Sequence, residues 1–270
     1  MAHCDVRTKL VTLLSIVACL ASSHVGAQMA DKLSDSRNFF ALPVELDVDR
    51  GAANGDAAIM RIQPVYAFTL SERWKLVNVS LITLADAPSG TPVFPGEPGS
   101  GNNTGLSDFL HASLLTPESN ADLIWGFGAA VSLPTATASG LGSGKWAGGP
   151  ALRLTYRGGL WNLGALAAQR WSFAGSGNKP DVNQLLIRGA IRRQLNDDWF
   201  FVSAPIIVAN WDATGDKWLV PVGGGIGRRF TLGGFPWAFS AQAYYNVIRA
   251  DSAPNWVFRL GVVSAIPFGN

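Results

Sequence analysis

Cysteine and histidine are scarce in this 270-residue chain, and their positions exclude several kinds of site. The two cysteines, Cys4 and Cys19, both lie within the first 27 residues, which have the composition of a cleaved secretory signal. A mature chain beginning at Gln28 would therefore have no disulfide, thiol nucleophile or cysteine-based metal site. His111 is the one histidine beyond residue 27. Too few ligands remain for zinc, and we expect neither a metal nor a cofactor.

Charge and long apolar runs are also scarce. Charged residues make up 15% of the chain. Removal of Arg7, Lys9 and Asp5 with the signal would change 21 basic and 19 acidic residues to 19 and 18, a net charge of +1. This balance gives no support to nucleic-acid binding. No uninterrupted apolar run of 18 residues follows residue 27, which argues against a bundle of transmembrane helices.

The first 27 residues predict export. Arg7 and Lys9 precede the apolar stretch Leu10–Leu20, and Val25–Ala27 has the small residues of a cleavage site. We predict a signal peptide at 1–27. A second interpretation treats Ile16–Cys19 as a lipobox, which would place a lipid on Cys19 instead.

The remaining chain is organised as long alternating segments. In the stretch after Val182, Leu185 and Ile187 fall on one parity while Arg188 and Arg192 fall on the other. Successive strand side chains point to opposite faces, so one face is apolar and the other polar. Segments of about 13 residues are long enough to cross a bilayer at a tilt. Similar segments occupy 39–48, 58–70, 74–84, 106–116, 121–133, 148–157, 160–173, 182–195, 198–211, 217–231, 236–249 and 255–268.

The connections between these segments alternate between short and long, as in outer-membrane barrels with short periplasmic turns. The short ones are Ser71–Arg73, Pro117–Asn120, Gly158–Gly159, Asn196–Asp197 and Leu232–Phe235. We predict an all-β fold: a closed antiparallel transmembrane β-barrel of about 12 strands (10–14), formed by 39–270 as one domain after a periplasmic lead-in at 28–38. Closure follows because a sheet edge in lipid would leave backbone groups unpaired. A soluble β-sandwich is the alternative.

The ten tryptophans support the membrane interpretation, because aromatic residues concentrate at the two membrane interfaces. One predicted girdle follows the short turns and contains Trp74, Trp125, Trp161, Trp199 and Trp237. The other lies at the longer loops and contains Trp146, Trp171, Trp211, Trp218 and Trp256.

Five longer stretches carry a resemblance: Ile62–Phe68, Leu123–Gly128, Leu133–Pro150, Trp171–Gln184 and Val220–Val247. The resemblance is to outer-membrane, transporter-like proteins described as "MetA-pathway of phenol degradation"-like. It covers nearly all of the chain from about residue 40. The resemblance implies a barrel in the outer membrane of a Gram-negative bacterium that passes small molecules, aromatic ones among them. It brings no catalytic residues. The chain departs from a common pattern by ending Phe268-Gly269-Asn270, since such barrels often end on an aromatic residue.

The polar parity of the strands supplies candidate lumen residues. They are Arg61, Gln63, Arg153, Arg157, Gln184, Arg188, Arg192, Gln242 and Arg259. Strand carboxylates are fewer, with Glu45, Asp47 and Asp108 the main ones. Two interpretations remain open. A basic lumen would favour anions or orient polar solutes, whereas arginines paired with carboxylates would fill a closed, narrow lumen.

His111 and Ser113 form the one candidate for covalent chemistry. Their i, i+2 spacing on a strand places both side chains on one face, where His111 could act as base for Ser113, with Asn120 as an orienting group. This resembles the His-x-Ser arrangement of outer-membrane phospholipase. The favoured function is passage or binding of small molecules, porin-like and without covalent chemistry. A lipid hydrolase and a structural barrel with a blocked lumen are the alternatives. Expected partners are outer-membrane lipids, a small solute and the barrel-assembly machinery.

Overall fold

Fifteen strand segments make up nearly all of the regular structure. The computed structural model describes residues 38–88, 91, 93, 103–119 and 121–267, so the predicted signal and all but the last residue of the lead-in lie outside the described residues. The segments are β1 (Phe39–Arg50), β2 (Ala57–Ile62), β3 (Val65–Thr69), β4 (Trp74–Ala87), β5 (Asn103–Leu106), β6 (Phe109–Pro117), β7 (Leu123–Leu133), β8 (Lys145–Gly158), β9 (Trp161–Gly175), β10 (Asn183–Gln194), β11 (Trp199–Ser203), β12 (Ile206–Asn210), β13 (Trp218–Leu232), β14 (Phe235–Ile248) and β15 (Trp256–Pro267). A 3-10 turn, Ser139–Leu141, precedes β8. Within the described ranges, no helix has the length and apolar character needed to span a bilayer.

The segments form twelve antiparallel strands that close into a barrel, which confirms the predicted fold. Three strands are each built from two segments: β2 with β3, β5 with β6, and β11 with β12. Neighbours in sequence pair around the barrel, and the pairing of β1 with β15 and of β9 with β10 leaves no free edge. Because the barrel is closed, the backbone N–H and C=O groups of every strand have partners on both neighbouring strands, as an apolar medium requires.

The interruptions of the three composite strands have local causes. Pro64 and Pro205 lack a backbone N–H and cannot complete the ladder at their positions. The third interruption, at Ser107 and Asp108, turns a carboxylate into the loop after β7. Asp108 Oδ2 accepts hydrogen bonds of 2.7 Å from both the backbone N–H and the hydroxyl of Ser143. Asp108 is fully buried and anchors this loop against the barrel.

The barrel is apolar outside and packed inside. Outward side chains such as Phe127, Phe173 and Val222 are exposed at 52%, 69% and 58% of their surface. Charged side chains such as Asp47 and Arg259 are buried within the barrel. This polarity is opposite to that of a soluble sandwich and typical of barrels that face lipid.

The ten tryptophans lie at or near strand ends, on the outward face. Six of them are exposed: Trp125, Trp146, Trp161, Trp171, Trp199 and Trp256. Trp74 contacts Trp125 edge-to-face at 6.1 Å, and Trp211 contacts Trp218 in the same way at 5.5 Å. The first pair lies beside the short turns and the second beside a longer loop. These positions are those required of two interfacial girdles, which remain a proposal.

Candidate functional site

The interior of the barrel is the candidate site. Alternation along the strands places the side chains of all nine predicted lumen residues on the inward face of the barrel. Arg61, Gln63, Gln184, Gln242 and Arg259 are buried there, and Arg153, Arg188 and Arg192 are half-buried. Arg157 is exposed near the end of β8. Their part in solute passage is a proposal.

Three of these residues, Arg61, Arg188 and Arg259, form a charged cluster with the carboxylates of Glu45 and Asp47 on β1. Asp47 is held between Arg61 on β2 and Arg259 on β15, the two strands that flank β1. Arg259 donates from Nε and Nη2 to the two carboxylate oxygens at 2.7 and 2.8 Å. Both arginines are at most 3% exposed. Buried charges are tolerated when they are paired and hydrogen-bonded in this way.

Glu45 extends the cluster across the lumen. Its carboxylate forms an ion pair with Arg188 on β10, a strand on the opposite wall of the barrel. It also accepts a hydrogen bond of 3.2 Å from Gln63 and lies 3.8 Å from Arg259. The Glu45–Arg188 ion pair therefore crosses the interior from one wall of the barrel to the other.

The interruption of the composite strand β11–β12 contributes to the same cluster. Because Pro205 breaks the ladder, the backbone groups of Ala204 are free to bond inward. Its carbonyl accepts a hydrogen bond from Arg259, and its N–H donates to the Tyr244 hydroxyl at 2.6 Å. Tyr244 donates in turn to Gln242. The strand break thus positions charged and polar side chains at mid-lumen.

An apolar layer, which sequence patterning did not reveal, adjoins the charged cluster. Its buried members are Leu81, Val93, Leu110, Ala112, Leu114, Ala130, Ala151, Ala168, Leu186, Ile206 and Val208. They come from seven strand segments around the barrel together with the connection after β4. A small cavity of about 40 Å³ lies in this layer, and Arg188 and Gln63 are among its lining residues.

Val93 belongs to the long connection between β4 and β5 but lies inside the barrel, 2% exposed. Its carbonyl accepts a hydrogen bond of 2.8 Å from Nη2 of Arg170 on β9, and the same nitrogen contacts Gln184. The sequence marks this connection only as a stretch rich in proline and glycine, which does not predict a residue inside the barrel. Arg170 was likewise absent from the predicted lumen residues, although its even parity on β9 could have identified it.

Inward arginines continue from mid-lumen toward the short turns. Arg153 and Arg188 both pair in register with Leu166, and Arg157 and Arg192 both pair with Asn162. Arg229 on β13 joins them. Among the residues that the structure describes, Arg153, Arg192 and Arg229 form no ion pair with a carboxylate. This end of the lumen is therefore positively charged, while charges at mid-lumen are largely paired.

His111 and Ser113 lie on the outward face of β6 rather than in the lumen. Nε2 of His111 is 3.0 Å from the Ser113 hydroxyl, and Nδ1 is 2.9 Å from the Ser80 hydroxyl. Ser113 donates to Oδ1 of Asn78 at 2.7 Å. The geometry brings together a serine, a histidine and two polar neighbours that sequence reasoning did not select. The orienting group that it did select, Asn120, lies outside the described residues.

Comparison with known proteins supports the fold. No known family and no curated protein matches the sequence, so membership of the phenol-degradation family stays a prediction. An outer membrane channel from Pseudomonas putida F1 is similar in structure, with 13% identity and a TM-score of 0.58 over 86% of this chain and 96% of that one. At this identity the match shows a shared fold alone.

Two further solved barrels are similar at lower scores. The β domain of a Bordetella autotransporter has 11% identity and a TM-score of 0.43 over 84% of this chain and 99% of that one. A toluene transporter from Pseudomonas putida has 11% identity and a TM-score of 0.40 over 86% and 89%. TM-scores below 0.5 do not establish a common fold.

Proposed function

We propose that the chain is an outer-membrane β-barrel, exported through its N-terminal signal, that passes or binds small molecules in its lumen. The closed sheet, the apolar outer belt and the fold shared with an outer membrane channel support a membrane location. Under this proposal the short turns face the periplasm and the long loops face outward. The barrel does no covalent chemistry.

The solute that suits the lumen best is a small anion with an apolar body, aromatic anions included. The observation that carries this proposal is the position of Arg188. It borders the apolar cavity while pairing with Glu45 across the lumen. Its side chain is 22% exposed, whereas that of Glu45 is 10% exposed. Arg188 therefore offers a cation to a solute whose apolar part lies against the apolar layer.

A passing anion would exchange with Glu45 at Arg188. Glu45 would keep its hydrogen bond from Gln63 and its proximity to Arg259, so its charge would stay compensated. The anion could then move to Arg153, which shares a register partner with Arg188, and on toward Arg192. A series of weak cationic sites favours passage because each site attracts the anion without trapping it.

The test is flux through proteoliposomes of two permanently charged aromatic solutes, benzenesulfonate and trimethylphenylammonium. We expect benzenesulfonate to enter faster than the cation, and we expect Arg188→Ala and Arg153→Ala to reduce its entry. Arg193→Ala is the matched control, because Arg193 is on the same strand as Arg188 but faces outward over Trp161. Equal entry of both solutes, or entry unchanged in both lumen variants, would contradict the proposal.

A structural barrel with a blocked lumen is a second candidate. The ion pair of Glu45 and Arg188 crosses the lumen, and Val93 fills part of the apolar layer, so little open space is left at mid-lumen. This candidate predicts no entry of either solute through a correctly folded barrel. The same flux experiment therefore separates the two functions.

A further inference from the structure

Polar side chains interrupt the apolar outer surface of β4 and β6. Asn78, Ser80, His111 and Ser113, here called the outer polar patch, are linked by the hydrogen bonds described above. Outward positions on either side of the patch along β4 are apolar. Trp74 and Leu76 lie toward the short turn, and Ile82 and Leu84 lie toward the long connection. Along β4, the patch is therefore bounded on both sides by the apolar surface that faces lipid.

The depth of the patch is set by its place on the strand. Ser80 is six residues from Trp74, which lies at the short-turn interface, and four from Leu84, the last apolar outward residue of β4. A strand tilted by about 40° advances roughly 2.5 Å per residue along the membrane normal. The patch is thus about 15 Å from one interface and about 10 Å from the other, well inside the hydrocarbon region.

Both the depth and the hydrogen bonds argue against hydrolysis by Ser113. Lipid ester groups and water lie at the interfaces rather than in the hydrocarbon core. The contacts are all satisfied when Ser80 donates to His111 Nδ1, His111 Nε2 donates to Ser113, and Ser113 donates to Asn78. In this arrangement Nε2 carries a proton and cannot accept one from Ser113. The histidine is then a link in a chain of donors, not a base.

Two members of the patch remain open to the outside: His111 and Ser113 are partly exposed, whereas Asn78 and Ser80 are only 4% and 8% exposed. Hydrocarbon supplies no hydrogen-bond partner, so the imidazole edge and the lone pairs of the Ser113 hydroxyl are costly at this depth. Polar side chains within membranes concentrate at contacts between protein segments for this reason.

We propose that the outer polar patch is the contact between two copies of this chain. A two-fold axis parallel to the membrane normal places the same residues of both copies at the same depth. The partly exposed His111 and Ser113 side chains carry both donors and acceptors, so the patch is complementary to itself. Ala129, the register partner of Ser113 on β7, is small and exposed, which allows close approach beside the patch. The inference depends on the membrane location proposed above, but not on the solute.

Oxidative cross-linking in outer membranes tests the contact, because the mature chain is expected to contain no cysteine. A cysteine at Ala129→Cys should cross-link the barrel to a dimer. Val222→Cys is the matched control: this exposed outward residue lies on β13, on the other side of the barrel. Adding His111→Leu and Ser113→Ala to Ala129→Cys should remove the dimer band. The shift of the folded barrel on unboiled gels reports whether each variant folds.

Three outcomes would overturn the proposal. Ala129→Cys could cross-link no better than Val222→Cys in folded barrels. Native mass measurement of the wild type in mild detergent could give only a monomer. Fatty-acid release from phosphatidylcholine vesicles that Ser113→Ala abolishes would instead assign the patch a hydrolytic role. A barrel that dimerises but passes no solute would uphold this inference while contradicting the proposed function.

Discussion

At the scale of single residues, Asp47 connects most of the buried charge. Each of its oxygens contacts a guanidinium, and the two arginines reach it from the strands on either side of β1. Asp47 is 1% exposed. A carboxylate so placed stabilises the interior because it compensates two cations that would otherwise be buried without a partner.

Replacement of Asp47 by asparagine should therefore destabilise the barrel strongly. Removal of one partner from a buried ion pair costs about 3–5 kcal/mol. Urea unfolding in lipid vesicles, followed by tryptophan fluorescence, would measure the loss. Asp122→Asn is the control: Asp122 is exposed in the turn before β7, and its replacement should stay within about 0.5 kcal/mol of the wild type. Equal effects of the two changes would contradict the role of Asp47.

The sequence could predict the arginines of this cluster but not their partners. Strand parity alone places Arg61, Arg188 and Arg259 on the inward face. The partner of Arg259 is 212 residues away in the chain, and that of Arg188 is 143 residues away. Such pairs depend on barrel closure and on which walls face each other, neither of which a local pattern contains.

At the scale of elements, strand existence was predictable and strand continuity was not. Alternation and the short turns gave twelve strands at nearly the observed positions. Three of them proved to be composite, with breaks at Pro64, at Ser107–Asp108 and at Pro205. The break at Pro205 releases backbone groups that bind Arg259 and Tyr244, so it belongs to the candidate site.

Close packing of β13 on β14 also acts at this scale. A Cβ atom at Gly225 would lie 1.9 Å from the carbonyl oxygen of Ala241, so any side chain would force the strands apart. Gly225→Ala should lower the free energy of unfolding by about 1–3 kcal/mol through overpacking. Gly164→Ala is the control, since the nearest atom to its added Cβ would be 3.6 Å away. Urea titration of both variants in vesicles would check this, and an unaffected Gly225→Ala barrel would contradict the packing account.

At the scale of the whole molecule, charge is distributed unevenly along the lumen. Charges at mid-lumen are largely paired, the adjoining layer is apolar, and the end with short turns carries arginines. The barrel itself followed from the sequence, because alternation and loop asymmetry are local signals. The filling of the lumen did not, since Val93 enters it from a connection rich in proline and glycine whose path no periodic pattern specifies.

The central claim is that the lumen conducts and that its arginines favour anions. The most direct measurement is the zero-current potential of the purified barrel in a planar bilayer under a potassium chloride gradient. We expect discrete openings and a potential displaced toward the chloride equilibrium value, with a smaller displacement for Arg188→Ala. A potential displaced toward the potassium value, or a silent bilayer from a barrel shown to be folded, would contradict the account.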